Sequence, residues 1–150
     1  MWAPKGQRPI ISVYPRYEWL YLYGFVHPQS GRSVWYILPV LNKAAFKVVL
    51  DDFAATVAAS SNRRILIVMD RAPWHHAEVE GIDLIPQPSY SPELQPAEHL
   101  WKLTDEPLKN RCFDSLEELE QTLAAQCVKL MADPELVKSH TLFHWWPRID

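Results

Sequence analysis

The apolar run Ile65–Met69 constrains the fold of this chain more than any other segment. It follows an amphipathic stretch over residues 43–59, in which apolar side chains recur at spacings of three and four. A short apolar run after a predicted helix is typical of a strand buried on both faces of a sheet. The run ends in Asp70. It therefore predicts an α/β fold with a carboxylate at the carboxyl end of a strand, where such sheets place ligand-binding groups.

Further strands are predicted on both sides of this run. Residues 17–26 and 32–38 are rich in aromatic and β-branched side chains, and the turn-forming residues between them predict a β-hairpin. Residues 10–14 and 82–86 predict two more short strands. Because a hairpin pairs antiparallel and a helical crossover leads to parallel pairing, we expect one mixed sheet with helices on its faces.

Helices are predicted wherever apolar periodicity follows a capping signal. The predicted helices are 43–59 behind Asn42, a short segment at 74–80, one that begins at Pro96, and 115–131 behind a capping box of Ser115 and Glu118. The aromatic tail at 143–147 is expected to pack on the domain.

Composition narrows the class of protein. A chain of 150 residues with 48% hydrophobic and 22% charged residues suits one folded domain. No apolar run reaches the roughly 20 residues that span a bilayer, and we expect a cytoplasmic protein. The net charge of −3 gives no support for a free-standing nucleic-acid binder and does not exclude one. Cys112 and Cys127 lack zinc-site spacing and are expected to be reduced structural thiols.

Two carboxylates are the leading candidates for chemistry. Asp70 would need water, a partner or a cation, and its alternative role is to cap the following turn. Glu98 follows a loop restricted by Pro92 and Pro96, and this restriction would aim it at a fixed point. Its alternative role is to complement the dipole of the helix that begins at Pro96.

Histidines and basic residues supply the remaining candidates. His75 and His76 are adjacent, so they are unsuited to chelating one metal from a helix; one is expected near the site and the other in solvent. The basic residues that could contact phosphates near the proposed site include Arg71, Lys102, Lys109 and Arg111. Scattered surface charges are the alternative reading of these side chains.

Residues 65–101 together resemble a known family. The apolar strand that ends in Asp70, the nearby His75, and the string Tyr90-Ser91-Pro92-Glu93-Leu94-Gln95-Pro96-Ala97-Glu98 are similar to the catalytic core of bacterial insertion-sequence transposases of the mariner-like superfamily, with a DDE-type endonuclease domain. Gln95 replaces the family's usual Asn. The similarity extends to residues 2–9, 113–123 and 143–147, so that it covers most of the chain.

The resemblance implies a ribonuclease-H-like mixed sheet flanked by helices, and metal-dependent DNA strand cleavage and transfer. In that family three carboxylates hold two Mg²⁺ or Mn²⁺ ions. Asp70 would be the second acid, Glu98 the third, and His75 an accessory residue. The family's partners are DNA at the transposon ends and, in the full-length protein, a second copy; no membrane is involved. A cytoplasmic, nucleoid-associated location in a bacterium follows from the same resemblance.

Residues 1–150 are accordingly expected to be one DDE-type catalytic domain, truncated at its N-terminus. The family's first catalytic Asp and its strand precede the segment similar to residues 2–9, so an upstream transposase fragment is a candidate partner. Whether the chain alone is an enzyme is left open. One alternative is a non-catalytic remnant that binds DNA or an intact transposase. Another is an unrelated single-metal hydrolase that uses Asp70, His75 and His76.

Overall fold

The computed structural model describes residues 19–147 as an α/β fold. The strand predicted at residues 10–14 and the segment 2–9 lie outside this part of the chain. The elements are strands β1 (Tyr21–His27), β2 (Arg32–Leu38), β3 (Ile65–Met69) and β4 (Ile82–Pro86), and helices α1 (Lys43–Thr56), α2 (Trp101–Asp105), α3 (Leu116–Met131) and α4 (Pro134–Thr141). Short 3-10 helices form at Pro92–Leu94, Pro96–Leu100 and Glu106–Leu108.

The predicted hairpin is confirmed. Strands β1 and β2 pair antiparallel, with Tyr21 opposite Leu38 and His27 opposite Arg32. Gly31 closes the turn with a φ of 74°, a left-handed conformation that side-chain-bearing residues rarely adopt. A Cβ at this position would lie 1.8 Å from the carbonyl oxygen of Pro134. Glycine therefore permits both the turn and its close approach to the start of α4.

Helix α1 begins as predicted. The Asn42 side chain accepts a hydrogen bond from the backbone N–H of Ala45 at 2.8 Å, which satisfies one of the unpaired donors of the first turn. The helix ends at Thr56 rather than at residue 59, because Ala58 adopts a left-handed φ of 54° that cannot continue it. Its buried face consists of Phe46, Val49, Leu50, Phe53 and Ala54.

The strands of the described residues form two sheets instead of the one mixed sheet that was expected. β3 and β4 pair parallel, with Ile65 opposite Ile82, and this pair is not hydrogen-bonded to the hairpin. Helix α1 joins the two sheets, since Phe53 and Ala54 form a core with Ile82, against which residues of both sheets pack. The two pairs of strands consequently lie on the same face of one helix.

The prediction that β3 is buried on both faces is wrong. Leu66 is 63% exposed and Val68 is 39% exposed, whereas the alternate residues of the strand are partly buried. The reason is the placement of α3 and α4, whose Leu130 and Val137 form a second core that packs against Val26 and Trp35 of the hairpin. The hairpin is thus covered on both faces, and β3–β4 has one apolar face in solvent.

The helices after β4 follow the sequence signals in part. The Ser115 side chain accepts a hydrogen bond from the N–H of Glu118, but the Glu118 carboxylate bonds Asp114 instead of completing the box at Ser115. Residues 74–80 form no helix. Helix α4 was not predicted, although Asp133, which caps it, and Pro134 at its first position are a recognisable start signal.

Part of the aromatic tail packs on the domain, as expected. In the aromatic tail, Phe143 packs against His99 with 4.8 Å between ring centroids. Cys112 is exposed and Cys127 is buried, and both are free thiols. None of the helices within residues 19–147 has the length and apolar character needed to cross a membrane.

Two substitutions at left-handed positions should change stability in opposite directions. Gly31→Ala should lower the free energy of unfolding by at least about 1–3 kcal/mol, because it adds backbone strain and a clash with Pro134. Ala58→Gly should raise it by about 0.5–1 kcal/mol, because glycine adopts the φ of 54° without strain. Urea unfolding of both variants checks this, and a stable Gly31→Ala protein would contradict the described turn.

Candidate active site

A cleft of about 720 Å³ separates the two sheets. All residues of β1 line one side and all residues of β3 line the other, with Phe46 and Phe53 of α1 between them. The walls are mostly apolar. Asp70, His75 and Glu98 also line it, as do His27, Arg32 and Arg63. The cleft therefore combines apolar walls with titratable and charged groups at more than one position.

The two strands beside the cleft run in opposite directions. Tyr23, near the start of β1, contacts His75, which bonds Asp70 at the end of β3. Phe25, further along β1, stacks on Phe53 with 4.2 Å between ring centroids, in the core that Ile65 at the start of β3 joins. The start of β1 therefore lies at the carboxyl end of β3, and we call this end, which carries Asp70 and His75, the polar end of the cleft. Charged and polar side chains also line the other end, among them His27, Arg32 and Arg63.

Asp70 lies at the carboxyl end of β3, as predicted. Its Oδ1 accepts a hydrogen bond from the N–H of Ala72 at 3.1 Å and lies 2.7 Å from Nδ1 of His75. The first contact is the turn-capping role that was the alternative interpretation. Capping does not use the whole carboxylate, because the side chain is 55% exposed and Oδ2 has no hydrogen-bond partner among residues 19–147. Asp70 can therefore serve a ligand as well.

His75 connects Asp70 to the hairpin and to α1. Its side chain is only 12% exposed, its ring lies 4.8 Å from that of Phe46, and its Nε2 lies 3.2 Å from the hydroxyl of Tyr23. In a neutral ring with a proton on Nδ1, Nδ1–H donates to Asp70 and the Tyr23 hydroxyl donates to Nε2. Burial, with a smaller contribution from the negative charge of Asp70, raises the pKa of Tyr23 to about 12, so this hydroxyl keeps its proton.

Glu98 lines the same cleft but comes from a different element than Asp70. It lies in the 3-10 helix Pro96–Leu100, whose buried ends Pro96 and Leu100 anchor it in the fold. Its Oε2 accepts a hydrogen bond from Nε1 of Trp101 at 3.0 Å, and the side chain is exposed. The indole fixes the direction of one carboxylate oxygen and leaves Oε1 without a hydrogen-bond partner among the described residues.

None of the remaining candidates lines the cleft. His76 is exposed and does not line the cleft, whereas His75 does. Arg71 lies beside Asp70, and its Nε donates to the carbonyl oxygen of Gln87 at 2.9 Å. The other basic candidates are the exposed Lys102, Lys109 in an ion pair with Glu106 at 2.6 Å, and Arg111 in an ion pair with Glu118 at 3.5 Å.

Two residues that support the acids were not predicted as functional. Tyr23 contacts His75, and Trp101 positions Glu98. Trp101 had a sequence signal, because it follows Glu98 by one helical turn, a spacing that allows side chains to meet. Tyr23 had none, because its contact joins segments that are 52 residues apart in the sequence.

The described residues provide two carboxylates at this site. Within residues 19–147, no group of three or more His, Cys, Asp or Glu side chains is arranged to hold a metal ion. Asp51 and Asp52 lie on the exposed side of α1, where they bond Lys47 and Tyr36, and do not contribute to the cleft.

Comparison with known proteins identifies the class to which this fold and cleft belong. The model of the DDE superfamily endonuclease family matches residues 1–120, and the chain belongs to that family. It is 28% identical over 132 residues to the uncharacterized protein y4pE/y4sA of Sinorhizobium fredii (strain NBRC 101917 / NGR234), an alignment that covers 85% of this chain and 96% of the relative. No solved structure matches the chain. Endonucleases of this family act on DNA, so the resemblance to a transposase DDE domain is confirmed at the level of the family.

The hydrogen bonds of His75 predict its tautomer. In alkaline buffer the ring should carry its proton on Nδ1, because Asp70 accepts from that atom and Tyr23 donates to the other. Long-range ¹⁵N–¹H NMR reports the tautomer directly, and the exposed His76 serves as an internal reference. Asp70→Ala should increase the Nε2–H form at His75 and leave His76 unchanged. A predominant Nε2–H form in the unsubstituted protein would contradict the described contacts.

Proposed function

We propose that this chain is the catalytic domain of an insertion-sequence transposase, which cleaves and joins DNA strands in a metal-dependent reaction. The observation that carries the proposal is that Asp70 and Glu98, which come from separate elements, line one cleft together with His75. The match to the DDE superfamily endonuclease family supports the same chemistry. Residues 1–150 would form a single domain of this kind.

The two carboxylates that line the cleft suit Mg²⁺ or Mn²⁺. These ions prefer oxygen ligands and keep open positions for phosphate oxygens. Asp70 and Glu98 would hold them, each with an oxygen that has no partner among the described residues. When bound, a pair of such ions activates an attacking hydroxyl and stabilises the leaving oxygen of a phosphodiester. The role of His75 is to position Asp70, and that of Trp101 is to position Glu98.

The cleft itself supports a ribonuclease-H-like sheet that one more strand would complete. Among the described residues β1 pairs only with β2, and β3 only with β4, so each borders the cleft with an unpaired edge. Because β1 and β3 run in opposite directions, a strand between them would pair antiparallel with β1 and parallel with β3. Its carboxyl end would then lie beside Asp70, where an acid on it would be the third carboxylate.

DNA is the substrate of this proposal, and an upstream transposase fragment is the candidate source of the third acid. The proposed phosphate contacts are Arg71, Lys102, Lys109 and Arg111. None of them lines the cleft, and Arg71 is the best placed because it directly follows Asp70. Since the net charge is −3, binding by this chain should be weak, salt-sensitive and not sequence-specific. Pairing of two copies and association with the nucleoid belong to the same proposal.

Metal binding should depend on both acids. Asp70→Asn and Glu98→Gln should each weaken Mn²⁺ binding by at least about tenfold, because each removes a negatively charged ligand. Asp51→Asn is the matched control, since Asp51 is an exposed acid outside the cleft, and it should bind as the unsubstituted protein does. Electron paramagnetic resonance of free Mn²⁺ measures the affinity. Equal binding by all four proteins would overturn the shared site.

Strand cleavage should require a third carboxylate. The two acids that line the cleft within residues 19–147 provide too little negative charge to hold two ions close together, so we expect that the chain alone does not nick supercoiled plasmid in Mn²⁺. Addition of an upstream fragment whose strand ends in Asp should restore nicking, and the same fragment with Asn in that position should not. The Glu98→Gln chain with the intact fragment is the second control.

The outcomes of the nicking assay, together with metal-binding measurements, separate the alternatives. Nicking by the chain alone that Glu98→Gln abolishes would show that another residue supplies the third carboxylate. DNA binding without nicking under any of these conditions is the result expected of a non-catalytic remnant. Preference for Zn²⁺ over Mn²⁺, with loss of binding in His76→Ala, would instead indicate a single-metal hydrolase.

A further inference from the structure

Tyr90 has an exposed aromatic side chain and an unfavourable backbone conformation. Its side chain is fully accessible to solvent, and no ring contact or hydrogen bond joins it to another described residue. Its φ is 59°, in the left-handed region that side-chain-bearing residues seldom adopt. Nothing in the described fold requires a phenol ring there, because the ring packs against nothing. Such a residue suggests a function outside the folded chain.

The loop that carries Tyr90 is fixed at both ends beside Asp70 and Glu98. At its start, the N–H of Gln87 donates to the carbonyl oxygen of Met69 at 2.8 Å, and Arg71 bonds the carbonyl of Gln87. At its end, the buried Pro96 lines the cleft two residues before Glu98. Pro88 and Pro92 restrict the backbone between these anchors. Tyr90 does not line the cleft itself, but it is held on a stiff loop whose two ends lie beside Asp70 and Glu98.

We propose that Tyr90 stacks on an unpaired DNA base next to the phosphate at the cleft. This inference rests on the proposed function and adds a specific contact to it. An aromatic ring offers a face to any base, and its rigidity means that little side-chain entropy is lost on binding. Arg71 lies at the foot of the same loop and supplies the positive charge that a neighbouring phosphate needs. The preferred ligand is then DNA with a single-stranded end, since a base within a duplex has no free face.

A glycine at this position tests the proposal because it separates stability from binding. Tyr90→Gly should raise the Tm by a few degrees, because glycine adopts the φ of 59° freely and no packing is lost. The same variant should bind a fluorescein-labelled duplex with a single-stranded 3′ overhang about five- to a hundredfold more weakly. Tyr90→Phe should bind as the unsubstituted chain does. Affinity for a blunt duplex should be the same in all three proteins.

Ala58→Gly is the matched control. Ala58 has a similar φ of 54° and is exposed, but it follows α1 near the end of the cleft away from Asp70. This variant should raise the Tm and leave the binding of both DNAs unchanged. Fluorescence anisotropy at one fixed salt concentration measures the affinities of the full chain and of each variant.

Other results would contradict the proposal, and they distinguish a failure of the proposed function from a failure of the Tyr90 contact. If the unsubstituted chain binds neither DNA, the proposed function fails and this inference fails with it. If Tyr90→Gly binds the overhang DNA as tightly as the unsubstituted chain, the stacking contact is wrong and the proposed function is unaffected. If Tyr90→Gly weakens the binding of blunt and overhang DNA equally, the stacking contact is also wrong. The same holds if Tyr90→Gly changes only the self-association of the chain, measured by sedimentation.

Discussion

The packing of α1 against two separate sheets is the interaction on which the rest of the structure depends. Phe53 and Ala54 of this helix form one core with Ile82, and side chains of the hairpin and of β3 pack around it. No backbone hydrogen bond joins the two sheets within residues 19–147. The helix thus sets the width of the cleft mainly through apolar contacts, to which hydrogen bonds from Tyr36 to Asp52 and from Arg32 to the carbonyl oxygen of Thr56 are added on the hairpin side. Apolar contacts are non-directional and adjust to an inserted segment more readily than a hydrogen-bonded ladder does.

Polar contacts fix the orientation of the side chains at one end of the cleft. His75 bonds Asp70 and Tyr23 and packs on Phe46, so it ties the end of β3 to both the hairpin and the helix. Glu98 is held separately, by Trp101 and by the anchored loop before it. The two acids are therefore positioned by different elements on one cleft, an arrangement that suits ligands shared between them.

Local signals in the sequence predicted most elements and the positions of Asp70 at the end of β3 and of Glu98 in the first turn of a helix. The cap at Asn42, the turn that Gly31 closes and the apolar face of α1 each depend on residues nearby in the sequence, so they could be predicted from it. The end of β3 at Asp70 followed from the apolar run before it. The failures involve long-range packing. The exposure of Leu66 depends on where α3 and α4 dock, and the role of Tyr23 depends on a distant histidine. No local pattern records such contacts.

The central claim is that Asp70 and Glu98 bind cations within one cleft, and paramagnetic broadening by Mn²⁺ tests it most directly. Small amounts of Mn²⁺ should broaden the backbone amide signals of residues 70–75 and 96–98 together, and signals of α3, no residue of which lines the cleft, should stay sharper. Glu98→Gln should reduce the broadening at both segments. Broadening of one segment alone, or of signals scattered over the surface acids, would contradict a shared site.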